Sequence, residues 1–128
     1  MPVEYITDAE LIAYGVASTR GSSDQRTAAR RAASSIADSY FRARYTLPLL
    51  AWDAAVKSRV AALAARELLR VVGWNPENPA DTSLVKGGDD AEKWFQLVST
   101  RDAHPDVSES TPPSEPAPEV LSDDPREL

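Results

Sequence analysis

Few side chains in this chain could carry out catalysis or bind a metal. The 128 residues include one histidine, His104, and no cysteine, so a thiolate nucleophile and a cysteine-based zinc site are excluded. A histidine that acts as a general base needs a fixed position and an orienting partner, and we interpret His104, which is next to Pro105, as a solvated residue. The pair Gly87-Gly88 lacks the Lys and Ser/Thr that follow a phosphate-binding loop. We therefore expect no enzyme and no cofactor.

An acidic cluster, formed by Asp89, Asp90 and Glu92, is the one candidate for a divalent-cation site. Acidic side chains are also expected at the start of a helix, where they interact favourably with the helix dipole. We interpret the cluster in this second way, with Asp89 as a helix cap, and predict no metal site.

Basic residues recur on the two longest predicted helices and raise the question of nucleic-acid binding. They are Arg26, Arg30, Arg31, Lys57, Arg59, Arg66 and Arg70. Residues 1–101 have a net charge of only +1, whereas a duplex-binding domain usually has a clear basic excess. We favour a solvated helical face, and contact with an acidic protein surface or with DNA remains as the alternative.

Most of the acidity lies at the C-terminus. The whole chain has 14 Lys and Arg against 20 Asp and Glu, a net charge of −6, and residues 102–128 contribute −7. The same 27 residues include six prolines and no aromatic residue. Such a composition cannot bury enough apolar surface to offset the entropy of ordering. We predict a helical domain over residues 1–101 and an extended, Pro-rich acidic tail over residues 102–128.

Two helices are indicated by capping signals near the N-terminus. Thr7 and Glu10 have the spacing of a capping box, in which each residue bonds the backbone N–H of the other. They predict a short helix of about two turns. Ser22 and Gln25 have the same spacing and predict a long helix over about residues 24–44.

Two more helices are predicted after a break at Pro48. The third runs over about residues 51–72 and is so apolar that we expect it to be central, with Gly73 ending it. Residues 75–88 are predicted to be an exposed loop, because prolines and glycines interrupt them. A short last helix is predicted from Asp89 to about Arg101. The fold class is therefore all-α, with about four helices and no strand pattern of useful length.

The three tryptophans, Trp52, Trp74 and Trp94, fall at or near predicted helix ends. They are expected to close the core, and one or two of them could lie at a subunit interface, where tryptophan is enriched.

Neither a membrane span nor a secretory signal is visible in the sequence. The longest stretches without charge, Leu11–Thr19 and Tyr45–Trp52, are about half of the roughly 20 residues that a span requires. The first residues lack the basic and apolar regions of a signal peptide. We expect a soluble protein that is not exported, and the lack of cysteine fits a reducing compartment.

The run of residues 35–49, Ser-Ile-Ala-Asp-Ser-Tyr-Phe-Arg-Ala-Arg-Tyr-Thr-Leu-Pro-Leu, resembles the junction in Mu-type phage and prophage head–tail joining proteins. In that family a helix ends in Arg-Tyr-x-Leu-Pro-Leu and a long apolar helix follows. Tyr5-Ile6-Thr7 before the first helix and Asp90–Trp94 in the last helix agree with the same family. The resemblance covers roughly residues 3–101 and leaves out the acidic tail and the loop at residues 75–88.

The resemblance implies a structural virion protein without catalytic residues. Its relatives form a ring, commonly of twelve subunits, that adapts the portal of a tailed-phage capsid to the next tail or stopper protein. DNA passes through the channel of the ring without sequence-specific binding, and the protein does not contact a membrane. The expected location is the virion neck, after synthesis in the cytoplasm of the bacterial host, and a gene transfer agent or a prophage particle would use the same component.

Two other functions remain as alternatives. A DNA-binding packaging protein, such as a small terminase subunit, is also small, helical and ring-forming. An interaction module could instead place its acidic tail on a cellular partner.

The expected working parts are surfaces. The junction between the two long helices should set the angle between them, and hence the wedge shape that fixes ring curvature, while apolar residues of the tail should anchor it on a neighbouring subunit or on the portal. The predicted interface residues are Tyr45, Leu47, Pro48, Leu49, Trp74, Val107, Val120, Leu121 and Leu128.

Overall fold

Four helices and a two-stranded sheet make up the computed structural model, which describes residues 3–110. The elements in chain order are α1 (Asp8–Tyr14), α2 (Ser23–Phe41), β1 (Ala51–Trp52), α3 (Ala54–Val72), α4 (Pro79–Ser99) and β2 (Val107–Ser108). The predicted all-α class with four helices is confirmed. The short antiparallel pairing of β1 with β2 was not predicted.

The two predicted capping boxes are both present. The Thr7 hydroxyl accepts the Glu10 N–H at 3.1 Å, and the Glu10 carboxylate accepts the Thr7 N–H at 2.9 Å. Ser22 and Gln25 make the same reciprocal pair at the start of α2. These local bonds explain why the starts of α1 and α2 agree with the sequence prediction to within one residue.

α3 begins three residues later than predicted. Asp53 is its N-cap, with a carboxylate oxygen that accepts the Val56 N–H at 3.0 Å. Ala51 and Trp52 are extended instead of helical because they pair with Ser108 and Val107 across the small sheet. The helix ends as predicted, at Gly73, which has a φ of 87° that favours glycine.

The predicted loop at residues 75–88 and the short last helix from Asp89 are wrong. α4 has 21 residues and begins at Pro79, whose missing N–H costs nothing at the first helical position. The Asn78 side chain caps it by accepting the Ala80 N–H at 2.9 Å. Gly87 and Gly88 lie inside the helix, and a Cβ on Gly88 would lie only 2.5 Å from the Cβ of Arg66. The glycine therefore permits close contact between α3 and α4.

α3 is the central helix, as predicted, and it packs against α2 on one side and α4 on the other. Val56, Val60, Leu63 and Leu68 of α3 are fully buried. Aromatic side chains form the part of the core that lies near one end of the bundle. Phe41 contacts Tyr5 and Phe95 edge to face, with ring centroids 5.7 and 5.4 Å apart.

α3 runs antiparallel to both α2 and α4, so each end of the bundle is made from different parts of the chain. The junction end contains residues 42–53, together with the end of α4, since Arg44 donates to the Val98 carbonyl at 3.3 Å. The linker end contains residues 73–78, together with the start of α2, since Arg20 binds Asp81 at 3.0 Å. None of the helices described within residues 3–110 is long and apolar enough to cross a membrane.

Candidate functional site

The predicted junction residues differ widely in exposure. Leu49 is a core residue with 2 % of its surface exposed, and Tyr45 and Leu47 pack partly against the same core. Pro48 is exposed and follows a cis peptide bond. The junction therefore contributes mainly to the core of its own chain. Pro48 is the residue of the predicted junction interface that is exposed at the surface.

Residues 103–110, which we call the strap, fold back along the junction. The Leu50 N–H donates to the Ser108 carbonyl at 2.7 Å, and the Ser110 N–H donates to the Thr46 carbonyl at 3.1 Å. The Thr46 N–H in turn donates to the Glu109 carboxylate at 2.9 Å. The Ser110 hydroxyl also donates to the Pro48 carbonyl. The first part of the acidic tail is thus bound to its own helical domain.

Arg44 fixes the start of the strap. Its guanidinium donates to the Ala103 carbonyl at 2.6 Å, and the side chain lies over the ring of Tyr45 at 5.0 Å. It also lies 2.7 Å from Nδ1 of His104. His104 is exposed, as predicted, and the charged group beside it is the guanidinium of Arg44.

Asp53 links the strap to α3. One of its carboxylate oxygens caps the helix, and the other accepts the Asp106 N–H at 3.0 Å. Val107, a predicted interface residue, is half-buried against its own chain, where it pairs with Trp52. The other predicted anchors of the tail, Val120, Leu121 and Leu128, lie outside the described residues.

Large apolar side chains are exposed at both ends of the bundle. Trp74, a predicted interface residue, is 36 % exposed at the linker end. Val71, one turn before it, is 64 % exposed. At the junction end, Leu50 is 68 % and Leu97 46 % exposed. Sequence reasoning missed Leu50 and Leu97, since the exposure of an apolar side chain depends on how the helices pack.

A solvent-facing pocket of about 310 Å³ lies beside Leu50. Its lining comes from the N-terminal segment, with Glu4, Tyr5, Ile6 and Glu10, and from the chain around β1, with Leu50, Trp52 and Lys57. The two segments are at least 40 residues apart in the sequence, so the pocket depends on tertiary contacts that no local pattern records.

Tyr5 holds the two sides of this pocket together. Its carbonyl accepts the Trp52 indole N–H at 3.0 Å, its N–H donates to the Ser34 hydroxyl at 3.1 Å, and its own hydroxyl donates to Asp38. Burial, followed by the bond to Asp38, raises the pKa of Tyr5, and burial also raises the pKa of Asp38. The N-terminal segment is therefore fixed on α2 and β1 by polar bonds within the core.

The prediction of a solvated basic face is wrong for three arginines. Arg26 is 8 % exposed and binds Asp8 at 2.9 Å and the Ser18 carbonyl at 2.7 Å. Arg30 binds Glu4 at 2.8 Å with only 13 % of its side chain exposed. The third, Arg66 of α3, is buried where α3 packs against α4. Sequence spacing alone does not reveal these pairs, because the acidic partners come from other segments.

Arg66 also explains the acidic cluster in α4. Its guanidinium lies 3.0 Å from Asp89, 2.9 Å from Glu92 and 3.3 Å from Glu67. The Tyr40 hydroxyl, which donates to Glu92 at 2.8 Å, and then Arg66 lower the pKa of that carboxyl. The interpretation of these acidic residues as a helix start is therefore wrong, because they lie in the middle of α4 and compensate a buried cation.

Within residues 3–110 no group of three or more His, Asp or Glu side chains is arranged to hold a metal ion. The described features that remain as candidate working parts are the strap, the pocket and the exposed apolar side chains at the two ends.

Comparison with protein families gives a match to the family described as Bacteriophage Mu, Gp36, over residues 3–122. Comparison with curated proteins and with solved structures gives no match. The family match includes residues 75–88 and most of the acidic tail, so the expected limit of the resemblance at residue 101 is wrong. The chain therefore belongs to the bacteriophage Mu Gp36 family, which suggests a phage structural or morphogenesis protein.

Proposed function

We propose that this chain is the subunit of a head–tail connector. Twelve copies form a ring in the virion neck that joins the portal of a tailed-phage or gene-transfer-agent capsid to the next tail or stopper protein. The ring leaves a channel for DNA and works through its surfaces, without a catalytic group or a cofactor. The observation that carries the proposal is the family match over residues 3–122, which includes the Arg-Tyr-x-Leu-Pro-Leu junction.

The charge of the helical domain supports the assembly of many copies. Residues 1–101 have a net charge of +1, so identical domains can pack side by side without strong mutual repulsion. The negative charge lies in residues 102–128, which can meet basic surfaces of other components or extend into solvent.

The distribution of exposed apolar side chains supports a ring as well. A ring of identical subunits requires two different complementary surfaces on each copy, because its contacts are head-to-tail. The described chain has exposed apolar side chains at opposite ends, with Leu50 and Leu97 at the junction end and Val71 and Trp74 at the linker end.

The pairing of basic residues favours the connector over a DNA-binding packaging protein. Arg26, Arg30 and Arg66 bind acidic side chains of their own chain and are largely buried. A protein that grips duplex DNA needs such side chains at its surface, where they can neutralise phosphates.

Inactivating the gene separates these functions in a single experiment. Without a connector, we expect electron micrographs of the lysate to show packaged capsids and separate tails that do not join. Empty capsids would instead indicate a packaging protein, and normal complete particles would indicate a cellular interaction module; either result would contradict the proposal. Expression of the intact chain from a plasmid should restore joined particles and serves as the control.

A further inference from the structure

We propose that residues 111–122 of the tail dock in a groove of their own copy, where Arg59 binds their carboxylates. The groove is a solvent-facing depression of about 330 Å³ and shares no lining residue with the pocket beside Leu50. Its lining comes from three helices and includes Tyr14 of α1, Arg59 of α3 and Gly87 of α4. Docking of this kind does not depend on the connector function.

Arg59 is a positioned cation without an acidic partner among the described residues. Its guanidinium lies over the ring of Trp94, 5.5 Å from the centroid, and this contact orients the positive charge. No ion pair or hydrogen bond described within residues 3–110 engages this guanidinium, whereas Arg26 and Arg66 bind acidic side chains. A half-buried cation of this kind favours an anionic group that another segment brings to it.

The groove also provides two hydroxyl groups beside Arg59. The Tyr14 hydroxyl lies above Gly87, where an added Cβ would be 2.9 Å from its oxygen. Burial raises the pKa of Tyr14, although the nearby charge of Arg59 lowers it, so the hydroxyl is protonated at neutral pH and can donate. Ser58, which is exposed, adds the second hydroxyl. A carboxylate accepts several hydrogen bonds at once, and charged donors make the strongest of them.

The charge of the groove is opposite to that of the segment. The charged residues in the lining are Arg59 and Asp90, and Asp90 binds Lys86 at 3.3 Å, so the three together have a net charge of +1. Residues 111–122 contain two glutamates and no basic residue, which gives a net charge of −2. Opposite charges attract the segment to the groove and orient it there.

The composition of residues 111–122 suits binding in an open groove. Four of the twelve residues are proline, namely Pro112, Pro113, Pro116 and Pro118. Proline fixes its own φ angle and favours an extended chain, so such a segment loses little backbone entropy when it binds. Extended proline-rich segments dock on surfaces that present aromatic side chains, and Tyr14 supplies one here.

The segment begins close enough to reach the groove of its own copy. The strap ends at Ser110, and Ser108 within it pairs with Ala51, four residues before Ala55 in the groove lining. These separations place Ser110 at most about 27 Å from Ala55. Glu119 follows nine residues later, and an extended chain of that length spans about 30 Å. The same copy can therefore supply the carboxylate.

The limits of the family match agree with this occupant. The match runs from residue 3 to residue 122, so it includes residues 111–122 and leaves out residues 123–128. Glu115 and Glu119 therefore lie inside the family region together with Arg59. This extent favours residues 111–122, and not the last six residues, as the part of the tail that contacts the helical domain.

Disulfide formation tests the docking, because the native chain has no cysteine. The full-length variant with Ser58→Cys and Val120→Cys has one thiol in the groove and one beside Glu119. The control combines Val120→Cys with Ser39→Cys, since Ser39 is exposed near the end of α2 and does not line the groove. Dilute purified protein is mildly oxidised, and free thiols and chain mass are followed with time. We expect the groove pair to close within one chain at least about tenfold faster, because docking raises the effective concentration of its thiols.

Charge removal gives the second measurement. In the groove pair, Arg59→Gln should lower the rate at least about fivefold, since it removes charge-assisted hydrogen bonds. Glu115→Gln combined with Glu119→Gln should give the same loss and changes no residue of the described domain. The far-UV circular dichroism of all variants should match that of the native chain.

Three results would overturn the docking. They are equal rates in the groove and control pairs, an unchanged rate when the two glutamates are replaced, and disulfides that join two chains in place of closing within one. The last result would assign the groove to the tail of a neighbouring copy.

Discussion

Gly88 and Arg66 show how a single pair of residues sets the distance between two helices. The Arg66 side chain runs over Gly88, where an added Cβ would lie 2.5 Å from the Arg66 Cβ and 2.8 Å from its Cδ. The sequence suggested a loop at the Gly87-Gly88 pair because glycine weakens a helix by about 1 kcal/mol relative to alanine. Close packing of α4 on α3 outweighs that preference, and a local pattern does not contain this information.

Gly88→Ala is therefore expected to destabilise the protein despite the better helix propensity of alanine. The methyl group must displace the stem of Arg66, and overpacking of this kind costs about 1–3 kcal/mol. We expect a net loss of about 1–2 kcal/mol in the free energy of unfolding, measured by urea titration with circular dichroism.

Gly87→Ala is the matched control. Its added Cβ would meet only the Tyr14 hydroxyl, at 2.9 Å, and Tyr14 is half-exposed and able to move. The change should be neutral or should stabilise by up to about 1 kcal/mol. Equal effects of the two substitutions would show that the backbone preference of glycine, and not the contact with Arg66, determines stability here.

At the level of elements, the starts of α1 and α2 followed from the sequence, whereas the junction did not. A capping box joins residues three apart, so its spacing is visible in the chain. The strap joins residues that are about 60 apart, such as Thr46 with Ser110. It also pairs with β1 and keeps those residues extended, where the sequence predicted the first turn of α3. The composition of residues 102–128 indicated a tail as a whole, but it did not show that residues 103–110 bind the junction.

Two truncations measure what the strap contributes. A chain that ends at Asp102 lacks the strap, and a chain that ends at Ser110 keeps it. Without the strap, the bonds to Thr46, Leu50 and Asp53 are lost and part of the core beside Trp52 is uncovered.

We expect the shorter chain to be less stable by about 1–3 kcal/mol, the sum of a few exposed hydrogen bonds and a partly buried valine. The far-UV circular dichroism of the folded states should remain helical in both truncations. The same midpoint of urea unfolding for the two chains would mean that the strap does not stabilise the junction.

At the scale of the whole molecule, the net charge of −6 divides into a nearly neutral domain and an acidic C-terminal region. The short run of residues 35–49 indicated the same family that matches residues 3–122 as a whole. The pocket and the exposed Val71, Leu50 and Leu97 were not predictable, because exposure depends on how the four helices meet. The surfaces that we propose for assembly therefore emerged from the tertiary structure, apart from Trp74.

The most direct test of the connector function is electron cryomicroscopy of particles that contain this chain. We expect density for the four-helix domain in a ring directly below the portal, with an open channel on the axis. Intact particles in which the chain is absent, or in which it lies away from the portal, would contradict the proposed function.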